Sequence, residues 1–326
     1  MTTHRERIQA CINGEQTDRT PIALWRHFPE EDQKPETLAA ATLKFQETYD
    51  FDIVKVTPAS SFAVKDWGVV DEWQNNPEGS RAYTKRVIEK PQDWETLKPL
   101  DPTTSPHLAG QLACLRLLKQ NLSPETPLIQ TIFNPLSQAK NLAGNDLLLE
   151  HIHKYPEAVM EGLKTITKTT IKFIEAARET GIDGIFYAVQ HAQGNQLDLD
   201  EYKSIGLLFD QRVLAPADDL WCNMLHLHGT DVYFSLLRLF NFQIVNWHDR
   251  ETYPSLAEAQ SLFRNLVVCG GIRQETLHVE NQAQVREEAQ NAIEQTRGKR
   301  FILGTGCVVY YKSPHENIIA AKESIE

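Results

Sequence analysis

The sequence predicts an α/β fold, a (β/α)8 TIM barrel, on three observations. Short apolar runs rich in Val, Ile and Phe alternate with longer stretches of helical spacing. About eight such runs occur, and they keep ending in polar residues or glycine. Eight is the number that closes a parallel barrel.

In order, the runs place strands at 21–27, 51–58, 127–135, 184–190, 224–229, 243–249, 266–271 and 300–306. Helical spacing fits 35–48, 106–120, 147–180, 199–215, 255–264, 282–295 and 313–325, the last with Ser313 as N-cap and Pro314 at the first helical position. Between the second and third strands lie about seventy residues. They include Asp66-Trp67-Gly68 and an extended-looking 81–88, which reads as a hairpin inserted after the second strand and suited to a lid. With no low-complexity linker and no internal repeat, a single catalytic domain over 1–326 is expected. A doubly wound open sheet is the rival, but the turn after His27 lacks the Gly-x-Gly-x-x-Gly of a dinucleotide site, and no phosphate loop is present.

Composition narrows the function. With 41% hydrophobic and 24% charged residues, the chain of 326 can bury a large core. A net charge of -11 repels polyanions and argues against nucleic-acid and anionic-membrane partners. No signal-like start and no run of about 18 apolar residues occurs, so a cytoplasmic protein is expected. Five widely spaced cysteines without a Cys-x-x-Cys pair suit reduced thiols.

In a parallel barrel, strand ends far apart in sequence converge on one face. Those ends carry Trp25-Arg26-His27, Lys55-Val56-Thr57, Asn134, Gln190-His191, His226-Leu227-His228-Gly229, Trp247-His248-Asp249-Arg250, Cys269-Gly270-Gly271 and Gly304-Thr305-Gly306-Cys307. Five of the eleven histidines fall there, a clustering that random placement would not favour. The sharpest signal is His226-Leu227-His228, because side chains two apart on a strand share a face. With Cys307 they make three nitrogen or sulfur ligands and leave one position open, as in a catalytic zinc site. The same pair also suits two hydrogen-bonded histidines filling the barrel mouth, and Cys307 a small buried residue. Cys269 is a second candidate sulfur, although its glycines favour packing.

His248 and Asp249 are candidate acid/base groups at the rim, against a structural pairing of Asp249 with Arg250. Arg26 suits an anion clamp or a buried ion pair. His27, Lys55, Asn134, Gln190 and His191 are candidates for orienting a small-molecule substrate, against satisfying loop backbone. Trp247 is a candidate pocket wall, against core packing.

At these strand ends the chain resembles the uroporphyrinogen decarboxylase superfamily, which includes zinc-dependent methyltransferases that move a methyl group from a corrinoid protein to a thiol. The likeness rests on Arg5-Glu6-Arg7-Ile8, Asp18-Arg19-Thr20-Pro21, Asp50-Phe51-Asp52, His226-Leu227-His228-Gly229, Gly304-Thr305-Gly306-Cys307 and Ser313-Pro314-His315-Glu316-Asn317. It implies a (β/α)8 barrel independently of the strand count, as a monomer or homodimer. Of the decarboxylase's arginine-rich loop, only the first arginine is retained, at Arg26. Its aspartate falls near Thr57, its tyrosine near Asn141 and its last-loop histidine near Thr305. The methyltransferases look closer, because they bind zinc through His-x-Cys and a later Cys; His226 and Cys307 match, while His228 stands where the family has cysteine.

The resemblance therefore implies Zn2+ as cofactor, a thiol acceptor and a corrinoid protein or other methyl donor as partner. Uroporphyrinogen-type decarboxylation is the runner-up. A zinc hydrolase or lyase acting on a small acid, and a non-catalytic ligand-binding barrel, are the readings from other classes.

Overall fold

The computed structural model describes residues 2–279 and 281–325. Its strands are β1 (Val54–Val56), β2 (Val70–Glu72), β3 (Ala82–Lys85), β4 (Leu128–Phe133), β5 (Gly184–Val189), β6 (Met224–Leu227), β7 (Ile244–Trp247), β8 (Val267–Ile272) and β9 (Phe301–Thr305). Seven of them form one curled parallel sheet in the order β1-β4-β5-β6-β7-β8-β9. With thirteen α-helices among the described residues, the fold is TIM-like. The strands of this sheet are buried almost throughout, as expected where helices cover a parallel sheet.

The eighth strand expected at 21–27 does not form as a strand. Its first residues still lie between the two sheet edges. Ile22 makes a parallel bridge to Leu303, Ala23 N–H donates to the Leu303 carbonyl at 2.9 Å, and Asp52 N–H donates to the Ile22 carbonyl at 2.9 Å. The ladder stops there for local reasons. Pro21 has no N–H to give, and the Ile22 N–H is taken by the Asp52 carboxylate at 2.8 Å.

Asp52 is also the hub of a latch. Its buried carboxylate accepts from Arg7 at 2.6 Å, Arg19 at 2.7 Å and His4 at 2.8 Å, while Arg7 also pairs with Asp18 at 2.8 Å. This holds the helix His4–Asn13 against the sheet. That helix was not expected from periodicity, yet its Thr3–Glu6 capping box is legible. The opening motifs thus have a structural use.

Three helix expectations change. The stretch 147–180 is two helices, Asn145–Lys154 and Pro156–Glu179, broken at Tyr155 (φ -140, ψ 50), because the residue before a proline is driven out of the helical region. A π-turn over Lys203–Leu207 interrupts 199–215. Ser313 does not cap the final helix, His315–Glu323; Pro314 occupies the cap position and the Ser313 hydroxyl has no partner.

The segment 81–88 is not a hairpin by itself. Ala82–Lys85 pairs antiparallel with Val70–Glu72, which the sequence reading left unassigned. The pair is tied down by Arg81, which donates to the Pro29 carbonyl at 2.9 Å and meets Asp71 at 3.3 Å, and by Lys65 on Asp71 at 2.9 Å. No helix among the described residues is long and apolar enough to cross a membrane.

Candidate functional site

At the carboxyl ends of the last strands, one ligand atom each from His226, His228, His248 and Cys307 lies within 4.8 Å of the others. Strand alternation explains the histidines. His226, the penultimate residue of β6, faces inward, Leu227 ends the strand turned to the outer helices, and His228 returns to the same side one residue beyond it. Neighbouring β7 sits in register with His226 opposite Asn246, so His248, two residues on, faces the same space. Cys307 arrives two residues past β9. Gly306 is what lets it arrive, since a Cβ there would come within 2.9 Å of the His248 Cα.

Contacts within the cluster are close but not saturating. His226 Nε2 lies 3.4 Å from His228 Nδ1, and the Cys307 Sγ lies 3.8 Å from that same Nδ1. His248 Nδ1 is 3.5 Å from Glu251, while its Nε2 is buried without a partner. Asn246 sets the proton of His226. Its amide nitrogen donates to the carbonyls of Cys269 at 2.9 Å and Thr305 at 2.8 Å, so its Oδ1 is left to accept from His226 Nδ1 at 2.7 Å. The lone pair of His226 is therefore on Nε2, the nitrogen facing the cluster.

Burial dominates the electrostatics. It pushes His228 down to about 3 and lowers His226 and His248, with the neighbouring imidazoles adding to the effect on His226 and His228. It pushes the Cys307 thiol up to about 12. The imidazoles are neutral at pH 7, the protonation state a metal ligand needs.

Next to the cluster opens a cavity of about 350 Å³, reached by His226, His228 and Cys307. Trp25, Phe133 and Phe186 supply apolar wall, with Phe186 stacked against the His226 ring at 5.2 Å. Lys55, Arg81, Arg86 and Lys140 enter it against a single carboxylate, Glu78. Burial lowers Lys55 to about 7 and Lys140 to about 8.

The profile of the uroporphyrinogen decarboxylase (URO-D) family matches residues 3–326. The chain belongs to that family. No curated protein matches it. Among solved structures, a methyltransferase from Methanosarcina mazei superposes on this URO-D chain with a TM-score of 0.82 at 18% identity, covering 99% of this chain and 98% of that one. A B12-independent methionine synthase from a Shewanella species, in complex with selenomethionine, superposes at 0.57 with 14% identity, covering 94% and 92%. A putative vitamin-B12-independent methionine synthase from Listeria monocytogenes gives 0.53 at 10%, covering 89% and 84%. At these identities the likeness is one of fold.

The other candidates of this URO-D chain fall into three groups. His27, Lys55 and Gln190 line the cavity. His27 is pushed down to about 3 by burial and by Lys55, and its Nδ1 has no partner. His191 is buried against Lys140 and His228 with both ring nitrogens unpartnered, but lies behind the cavity surface. The rest are occupied elsewhere. Arg26 donates to the Tyr311 carbonyl at 3.0 Å and lies over the Phe28 and Phe45 rings. Asn134 caps the helix Pro135–Ala143 and donates to buried Asp210 at 3.1 Å. Trp247 points outward, its indole N–H on the Pro254 carbonyl at 2.9 Å. Asp249, which burial pushes up to about 7, accepts from the Gly271 N–H at 3.1 Å. Cys269 is buried outside the cluster.

Sequence reasoning missed Asn246 and Lys140. Alternation on β7 was the available signal for Asn246, since placing His248 inward forces Asn246 inward and Trp247 outward. For Lys140 the signal was the helix itself, with Asn134 as N-cap, Pro135 at the first turn and Gly144 at the end.

Proposed function

We propose that this chain is a zinc-dependent methyltransferase that moves a methyl group from a corrinoid or other methyl donor to a thiol. The observation that carries the reading is the meeting of His226, His228, His248 and Cys307 at the rim of a cavity. Family membership and the fold shared with a methyltransferase and with methionine synthases support it. A closed eight-position barrel with the β2–β3 pair as its lid, forming one domain in the cytoplasm, belongs to the same reading.

The residues fit a zinc ion on their own chemistry. Neutral imidazoles and a cysteine sulfur, which gives up its proton on binding, are its preferred donors. One imidazole has its outer nitrogen engaged by an amide, the arrangement that fixes a ligand's tautomer. Another has a buried nitrogen with no other partner. His226, His228 and Cys307 would hold the metal, and His248 would serve either as a fourth ligand or as the base that takes the thiol proton, its Nδ1 lying 3.5 Å from Glu251. When bound, zinc supplies Lewis acidity that favours the deprotonated form of a substrate thiol.

The chain's own groups do the rest. Asn246 holds His226 in the ligating tautomer, Phe186 and Trp25 keep water from the reacting side, and the cavity orients the acceptor. Decarboxylation of a tetrapyrrole is weaker, because Thr57 and Asn141 supply no carboxylate or phenol there. The test is zinc content of the purified protein, followed by zinc-edge absorption with and without a thiol. A metal shell that gains a sulfur on adding thiol supports methyl transfer. Protein that takes up no zinc, or a shell unmoved by thiol, overturns it.

A further inference from the structure

We propose that the connector of the β2–β3 pair, residues 73–81, positions Cys307 by clamping the last loop of the barrel in place. The need for a clamp follows from the sheet. β9 ends at Thr305, and residues 306–312, which carry the sulfur, belong to no strand or helix. The neighbouring segment 21–27 offers them no ladder, since among the described residues its parallel bridge to β9 is confined to Ile22 and Leu303. A loop of this kind keeps its shape only through individual contacts, and losing one of them lets it open locally.

The contacts divide along the loop. Near the strand, barrel groups hold it: the Thr305 hydroxyl donates to the Cys307 carbonyl at 2.8 Å, the Gln274 amide to the Val308 carbonyl at 2.9 Å, and the Val309 N–H to the Trp25 carbonyl at 2.8 Å. The far half turns on Tyr311, and there the connector takes over. Tyr311 N–H donates to the Pro77 carbonyl at 2.7 Å. Its ring has the Trp73 ring edge-on at 5.5 Å and the Arg26 guanidinium at 5.8 Å.

The connector is itself braced from behind. Asn76 closes a tight turn, its Oδ1 accepting from the Glu78 N–H and its carbonyl from the Gly79 N–H, both at 2.9 Å, so Pro77 is presented from a fixed corner. Gly79, at a φ of +82°, rests on the first loop so closely that a Cβ there would come within 2.5 Å of the His27 Cβ. The connector is thus a wedge between His27 and Tyr311. Trp73 and Pro77 act on the sulfur through Tyr311 and are positioning residues. This inference goes beyond the methyl-transfer reading and needs no metal.

The test treats metal-free protein with iodoacetamide and reads the alkylation rate of each cysteine by mass spectrometry. Cys11, Cys114, Cys222 and Cys269 are buried in the core and report general loosening. Trp73→Ala is expected to speed Cys307 by about tenfold with the other cysteines unchanged, whereas Trp73→Phe, which keeps a ring against Tyr311, stays near the native rate. Gly79→Ala, which forces the connector off His27 without touching the last loop, should speed Cys307 as well. Native rates at Cys307 in both Trp73→Ala and Gly79→Ala overturn the proposal, as does an acceleration shared by all the cysteines. Should Gly79→Ala not fold, the contrast between Trp73→Ala and Trp73→Phe decides. Protein that takes up no zinc and still shows the Trp73→Ala acceleration keeps the clamp and loses the methyl-transfer reading.

Discussion

His226 and Asn246 stand side by side on neighbouring strands, Nδ1 to Oδ1 at 2.7 Å, and this one contact decides which nitrogen His226 turns toward the cluster. The amide cannot rotate away, because both its N–H groups are held by backbone carbonyls.

Replacing that amide tests its role. Asn246→Ala should weaken zinc binding about 10–100-fold, the usual cost of losing a partner that orients a ligand. Competition against a chelator measures it. A parallel melting curve should show a loss of about 1–3 kcal/mol from the two abandoned carbonyls; zinc affinity equal to that of the native protein would show that the contact does not matter.

A second prediction touches no ligand. Gly306→Ala places a methyl group against the His248 backbone, where 2.9 Å leaves no room. The last loop must then shift and carry Cys307 outward. Zinc affinity is expected to fall nearly as far as in Cys307→Ser, with both measured by the same competition.

The Asp52 latch should be a matter of stability alone. Asp52→Ala strands Arg7 and Arg19 without their buried partner, at a cost of about 3–5 kcal/mol in denaturant unfolding. Zinc content per folded chain should be unchanged, as the latch contributes no atom to the cluster.

Asp210 gives a pH signature. It is fully buried, accepts from Tyr187 at 2.8 Å, Asn134 at 3.1 Å and Tyr202, and burial raises it from an ordinary 3.8 to about 6. The native state therefore holds its proton more tightly than the unfolded chain does. The resulting stability is present in full below about pH 4 and is lost as pH rises through about 6, on the order of 2–3 kcal/mol. In Asp210→Asn, urea unfolding across pH 4 to 7 should lack this decline. A slope identical to that of the native protein would remove Asp210 as its source.

Much of this architecture could be read from residues alone. Seven parallel strands were visible because each is a short apolar run stopped by polar residues, and His226, His228 and Cys307 followed from where those runs stop. The first strand was overread, since Pro21 and the Asp52 carboxylate take away its ladder partners. Arg26 as anion clamp is a subtler case. An arginine at a strand end looks the same in sequence whether it faces a cavity or a carbonyl, and only packing against Tyr311 and two phenylalanine rings distinguishes them. Lys55 was named from its strand end, whereas Lys140 was missed because it reaches the cavity from a helix that the sequence reading left unassigned.

The narrow join at Pro21–Leu24 has a consequence for motion. One bridge and a few amide contacts join the first and last strands of the sheet there, so this is where the sheet should breathe most readily. Lys55 lies on one bank and Cys307 on the other. A molecule gripped by both would act as a staple across the gap, slowing amide exchange at Ile22 and Ala23 although it touches neither.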